Sequence, residues 1–231
     1  MQNVPAVASS GSLAIPEAAW GAENTHREDL LIPRIQIMNA LSKPVEHGVA
    51  SPGDMVDSST LEVLAKFGQK LEFVPFYTHK EWIEYEVLGK DQKFIGRHEV
   101  TPLNEGWPTE EVRQGMPIRR NKALNFFAVL PGRLVSLPYL MTFQRSGLNA
   151  GKLLSTHFQV SAMKKVAPAS KVFTLQIVKK SYDRHTWYGP VVEMGRDATQ
   201  EELATAYNWY QQVSKNKVVA DESSDSDAPN F

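Results

Sequence analysis

Between Arg113 and Pro190, one third of the chain, thirteen lysines and arginines meet a single acid, Asp183. Any fold of this chain must therefore place about twelve positive charges carried by one continuous stretch, while the remainder holds about thirteen negative ones and the formal total is only −1. Surfaces that merely balance charge mix the two signs locally. A stretch this one-sided points to a polyanion as ligand. The same stretch contains Phe126, Phe127, Tyr139, Phe143, Phe158, Phe173, Tyr182, Trp187 and Tyr188. Cations that follow phosphates, combined with rings that stack on bases, suit unpaired nucleic acid better than a closed duplex. Roughly two in three of these rings are expected in the core, on the general ranking of buried residues.

At 231 residues and 42% hydrophobic content the chain has material for one main domain with a core. It has no cysteine, which excludes disulfides and thiolate metal sites and leaves the redox compartment open. The histidines (His26, His47, His79, His98, His157 and His185) show no pair at a ligand spacing, so no metal is expected. No apolar run reaches the length of a membrane span, and Met1–Gly21 lacks the basic start and continuous apolar stretch of a secretory signal. A soluble, cytoplasmic protein without cofactor is the expectation, in the bacterial host's cytoplasm if it is phage-encoded.

Three regions follow from composition. Residues 1–27 read as a flexible arm, residues 28–215 as a β domain, and residues 216–231 as a disordered acidic tail. Within the domain, Leu30–Met38 reads as an edge strand because of Pro33, and Ser51–Asp54 as a turn. Leu71–Tyr77 and Glu81–Val87 read as two strands joined through Thr78-His79-Lys80, and Lys90–Met116, rich in Gly, Pro and Glu, as a long loop. Lys122–Leu130 and Leu134–Phe143 bracket Pro131-Gly132, a pair suited to the centre of a type II turn. Ser146–Lys165 has helical spacing, with Lys164 and Lys165 placed to complement the helix dipole. Lys171–Lys180 and His185–Met194 form a second hairpin around Ser181–Arg184, and Thr199-Gln200-Glu201-Glu202 is a capping box that opens a helix. The predicted fold is mostly β with two or more helices, an α+β chain built on an oligonucleotide-binding (OB-fold-like) barrel with N-terminal additions.

The candidate nucleic-acid-binding residues are Arg119, Arg120, Lys122, Arg133, Tyr139, Phe143, Arg145, Lys152, Lys171, Lys179, Lys180, Tyr182, Arg184, Trp187 and Tyr188. In a strand, Arg133, Val135, Leu137, Tyr139, Met141, Phe143 and Arg145 share one face, which suits a stacking platform and a core face equally. Trp187 and Tyr188, beside Lys179, Lys180 and Arg184, are the leading stackers.

Catalytic patterns are weak. Gly147–Leu153 resembles a phosphate-binding loop but has three residues between its glycines and no Ser or Thr after Lys152. Asp91-Gln92-Lys93 resembles the acid–any–Lys element of metal-dependent nucleases without an upstream carboxylate partner. A non-enzyme is the expectation.

The last eleven residues, Asp-Glu-Ser-Ser-Asp-Ser-Asp-Ala-Pro-Asn-Phe, hold four acids and no base. Asp227-Ala228-Pro229-Asn230-Phe231 resembles the acidic, Pro-containing, Phe-ended tip of bacterial single-stranded DNA-binding proteins, and the acidic Phe-ended tail of T7-type phage counterparts. With Asn230 between Pro229 and Phe231 and no long Gly- and Gln-rich linker, it is closer to the phage form. The resemblance implies sequence-tolerant binding of single-stranded DNA in replication, recombination or repair. It also implies docking of replication or recombination proteins through Asp225, Asp227, Pro229 and Phe231. Single-strand annealing and metal-dependent nuclease activity at Asp91 and Lys93 are the alternatives, and a homodimer stays open.

Overall fold

The computed structural model describes residues 31–89, 91–133, 137–183 and 185–214, and of Tyr182 and His185 the backbone alone. The expected arm, residues 1–27, and tail, residues 216–231, lie outside the described residues. The chain is mostly β with a few helices.

One long strand organises the sheet. β4 (Lys70–Leu88) pairs through Lys70–Phe73 with β9 (Lys171–Tyr182), and from Val74 to Glu86 with β7 (Met116–Val129). Its far end, Glu81–Leu88, also pairs with β5 (Asp91–Glu99). β7 carries β6 (Glu110–Arg113) beside its start and β8 (Tyr139–Phe143) beside its second half, and β9 pairs with β10 (His185–Asp197). These seven strands form one antiparallel sheet with the path β10-β9-β4-β7-β6, β5 and β8 lying off it. A second sheet of three short strands, β1 (Ile35–Ile37), β2 (Met55–Asp57) and β3 (Val63–Ala65), is tied to β8 by a parallel bridge between Arg34 and Leu140. A single helical turn, α1 (Lys43–Glu46), separates β1 from β2.

Both faces of the large sheet are covered. Phe73, Phe126, Met141, Phe143 and Phe173 pack with Leu154 of α2 (Leu148–Met163) and with Met55 of the small sheet. Val74, Phe76, Phe127 and Val172 pack on the other face with Ala206 and Val213 of α3 (Gln200–Val213). This explains the unbroken burial of Ala123–Leu130, apolar except at Asn125: a strand covered on both sides buries successive positions rather than alternate ones. The capping box forms as the sequence implies, with Thr199 accepting from the Glu202 amide and Glu202 accepting from the Thr199 amide.

Three expectations are corrected. The strands do not close into a barrel, so the oligonucleotide-binding barrel is not the arrangement of the described residues. Thr78-His79-Lys80 is not a connection: these residues stay in β4, opposite Phe126, Asn125 and Leu124. A bulge between Pro75 and Tyr77 shifts the side-chain alternation just before them, which makes one strand read as two. Finally, Lys90–Met116 is not one loop, because β5 and β6 lie within it. The Pro131-Gly132 turn does form, with Gly132 at φ 79° and the Arg133 amide donating to the Leu130 carbonyl.

The seating of α2 on β7 and β8 leaves no room at Gly151. A Cβ there would meet Phe143 Cβ at 2.8 Å and Leu124 Cδ1 at 3.1 Å. Gly151→Ala should destabilise the protein by about 1–3 kcal/mol through overpacking, despite the better helix propensity of alanine. Urea unfolding measures this; an unchanged or raised midpoint would contradict the packing described.

Candidate nucleic-acid interface

Five of the thirteen cations of the basic stretch, Arg113, Arg119, Arg120, Arg133 and Lys171, are neutralised by acids from elsewhere in the chain. Arg119 pairs with Glu110 at 2.9 Å, Arg133 forks onto Glu62, and Lys171 pairs with Asp197. Antiparallel strands carry out this matching: Glu110 lies opposite Arg119 in the β6–β7 ladder, and Glu84 opposite Arg120 in the β4–β7 ladder. Such exposed pairs add little stability, but each cancels the local field that would draw a phosphate.

Arg120 is removed from the surface altogether. It is 3% exposed, its Nε donates to Glu84 Oε1 at 2.6 Å, its Nη2 to Glu111 at 2.5 Å and its Nη1 to the Pro108 carbonyl at 3.1 Å. The Trp107 ring covers the guanidinium at 4.5 Å. Glu84, 1% exposed, also accepts from Arg113 at 2.9 Å and meets His98 Nε2 at 3.1 Å. Burial pushes the Glu84 carboxyl up, but the hydrogen bonds from Arg113 and Arg120 outweigh it and hold its pKa below the usual carboxylate value. One strand turn away, burial likewise opposes ionisation of Glu81. The hydrogen bond and charge of His79, with the charge of Arg97, prevail and bring Glu81 to about 2.

Among the expected stackers, Tyr139 and Phe143 are corrected to core residues. Tyr139 is 3% exposed and donates from its hydroxyl to Asp57 at 3.0 Å; burial and that bond push its pKa up to about 12. Phe143 packs edge-on against Phe126. The platform face on β8 is thus a core face, its alternation aimed at α2 and the small sheet. Arg184 and the Tyr182 side chain lie outside the described residues, as do Asp225, Asp227, Pro229 and Phe231.

Four of the remaining cations come together at the β9–β10 hairpin and the start of α2. The ladder sets Lys179 opposite Tyr188 and Lys180 opposite Trp187, so each lysine shares a face with one ring. Lys179 is exposed; Lys180, Trp187 and Tyr188 are half-buried. The Lys180 stem lies over Gly189, where an added Cβ would meet its Cδ, Cε and Nζ at 3.3 Å. The Trp187 indole nitrogen has no hydrogen-bond partner among the described residues, and Tyr188 meets Phe67 edge-on at 5.4 Å. On the Tyr188 face Gly147, which precedes α2, abuts Pro190. That approach brings up Arg145, with exposed Lys152 on the second turn of the helix. Arg145 holds a left-handed backbone at φ 48°, steadied by Gln92 at 2.8 Å and the Tyr85 ring at 5.4 Å. Among the described residues no carboxylate pairs with Arg145, Lys152, Lys179 or Lys180, and the first turn of α2 carries no acid. Lys122 is half-buried above the Trp82 ring at 5.2 Å, on the distal part of the sheet.

Residues 7–219 match the family model of the Pam3 phage gp34-like protein. The chain belongs to the Pam3 phage gp34-like family. No curated protein and no solved structure matches it. In this gp34-like chain the match takes in every strand and helix described above, and residues 220–231, with the acidic Phe231 segment, fall outside it. The family name suggests a phage protein. Among the described residues no helix is long and apolar enough to cross a membrane, and no group of three His, Asp or Glu side chains could hold a metal ion.

The functional partners that sequence reasoning missed are the acids Glu62, Glu84, Glu110, Glu111 and Asp197. All five lie outside the basic stretch, Glu110 and Glu111 by only a few residues and the others further off, and only the fold shows which cation each one meets. Because folding lowers the pKa of Glu81, Glu84 and Glu111 from an ordinary 4.5, their stabilisation is complete above about pH 4.5. It is lost as pH falls through the folded-state values, toward about 2 for Glu81. Glu84→Gln should cost about 3 kcal/mol or more at pH 7, by leaving Arg120 buried beside a neutral partner, and should flatten the acid limb. Urea midpoints at pH 7, 4.5 and 3 check both; equal acid sensitivity in the variant would remove Glu84 from this role.

Proposed function

We propose that this protein binds single-stranded nucleic acid without strong sequence preference, through the β9–β10 hairpin and the adjoining start of α2, in replication, recombination or repair of phage DNA. The observation that carries the reading is the cross-strand pairing of Lys179 with Tyr188 and of Lys180 with Trp187, two cations without carboxylate partners among the described residues. Each pair offers a charge for a phosphate and a ring edge or face for the neighbouring base. Arg145 and Lys152 extend the same cationic surface toward α2. A projecting hairpin on an open, twisted sheet supplies such a platform without a closed barrel.

The reading replaces the thirteen-cation block with a smaller patch, and that changes the expected numbers. Binding of labelled oligothymidylate, followed by fluorescence anisotropy, should weaken with salt at a slope of about −3 in log K against log salt, four cations each neutralising one phosphate. Thirteen contacts would give a slope of about −9. Trp187→Ala should cost about 1–3 kcal/mol of binding, whereas Arg119→Ala, which only frees Glu110, should leave affinity within a factor of about two. Absence of binding at low salt refutes the function, and a slope near −9 refutes the patch.

A further inference from the structure

An apolar cleft of about 760 Å³ opens between β4, the C-terminal end of α2 and α3, at the opposite end of α2 from the hairpin. Tyr77, Phe158, Pro168, Leu203, Tyr207 and Tyr210 line it. Its size is that of a ligand site rather than of a packing fault. Its wall is held firmly, because the His157 ring nitrogen Nε2 donates to the Pro168 carbonyl at 2.8 Å. Tyr207 is 59% exposed, a large ring left partly uncovered on the rim.

Two cations adjoin the α2 side of the cleft, while Glu99 lies close enough to act on Tyr77 across it. Lys164 and Lys165 precede the lining residue Ala167 by three and two positions, are exposed, and have no carboxylate partner among the described residues. Lys165 stands where a helix stop normally has glycine. Its backbone is left-handed, at φ 55°, its amide donates to the Ala162 carbonyl, and the Val166 amide donates to the Ser161 carbonyl, the paired bonds of a Schellman stop. A lysine there carries a backbone cost of about 1–2 kcal/mol that glycine would avoid.

We propose that this cleft is the docking site of the chain's own Asp221–Phe231 segment, with Phe231 in the apolar cleft and the acids beside Lys164 and Lys165. The segment carries four acids, no base and one aromatic ring, which matches an apolar slot with two cations beside it. Reach is sufficient: the seventeen residues after Ser214 span up to about 56 Å, more than twice the roughly 21 Å length of α3 along which they must return. Tethering raises the effective concentration toward the millimolar range, so a weak contact is enough. The inference does not rest on the nucleic-acid reading, since cleft and hairpin lie at different ends of α2.

The absence of cysteine makes the test direct. A nitroxide placed on the full chain at Ser224→Cys should broaden the amide resonances of Ala167, Leu203, Ala204 and Tyr207, independently of protein concentration. Phe231→Ala should reduce occupancy roughly tenfold, as expected for loss of one buried aromatic anchor, and high salt should relieve the broadening. Tyr207→Ala, at an exposed position that the core does not need, should release the segment in the same way. Broadening centred on Lys179 and Lys180, no broadening at all, or broadening only between labelled and unlabelled copies at high concentration would each overturn the proposal.

Discussion

The register that places Glu84 opposite Arg120 in the β4–β7 ladder governs where charge resides in this molecule. Two opposite charges buried in one sheet are tolerable only as a pair with their remaining hydrogen bonds met, and here Glu111, Arg113, His98 and the Pro108 carbonyl meet them. A slip of one residue between β4 and β7 would leave both ions buried and unpaired. The ladder therefore disposes of the charge. Because β4 also reaches β9 and β5, its register extends to most of the large sheet.

This arrangement explains what was legible in the sequence. Elements stabilised by local rules were readable: the Thr199 capping box, the Pro131-Gly132 turn, the β9–β10 hairpin and the body of α2 all depend on residues within a few positions of each other. Elements stabilised by distant partners were not. The polar triplet Thr78-His79-Lys80 stays extended because Asn125 and its neighbours lie alongside, with the Thr78 hydroxyl donating to the Asn125 carbonyl at 2.9 Å. β5 and β6 are edge strands with polar sequences, whose pairing with β4 and β7 does not show in hydrophobic periodicity.

The site was legible only in part for the same reason. A run of cations in sequence became, in space, a set of ion pairs plus a remainder. Tyr139 and Phe143, read as one half of a platform, alternate as a core strand does, and the buried hydroxyl of Tyr139 is accounted for by Asp57. Trp187, Tyr188, Lys179 and Lys180 emerge together because they lie on the two strands of one hairpin, close in sequence, which is local information. Arg145 joins them through a left-handed backbone that no pattern of side chains announces.

The central claim is that ion pairing removes Arg113, Arg119, Arg120, Arg133 and Lys171 from ligand contact and that, of the cations left unpaired, those of the hairpin carry it. Lysine acetylation rates, measured by mass spectrometry with and without oligothymidylate, test it residue by residue. The account predicts strong protection at Lys179 and Lys180, weaker protection at Lys152, and slow, unchanged rates at the ion-paired Lys70 and Lys171. Protection at Lys171 equal to that at Lys179, or none at the hairpin under conditions where the oligonucleotide is bound, would contradict it.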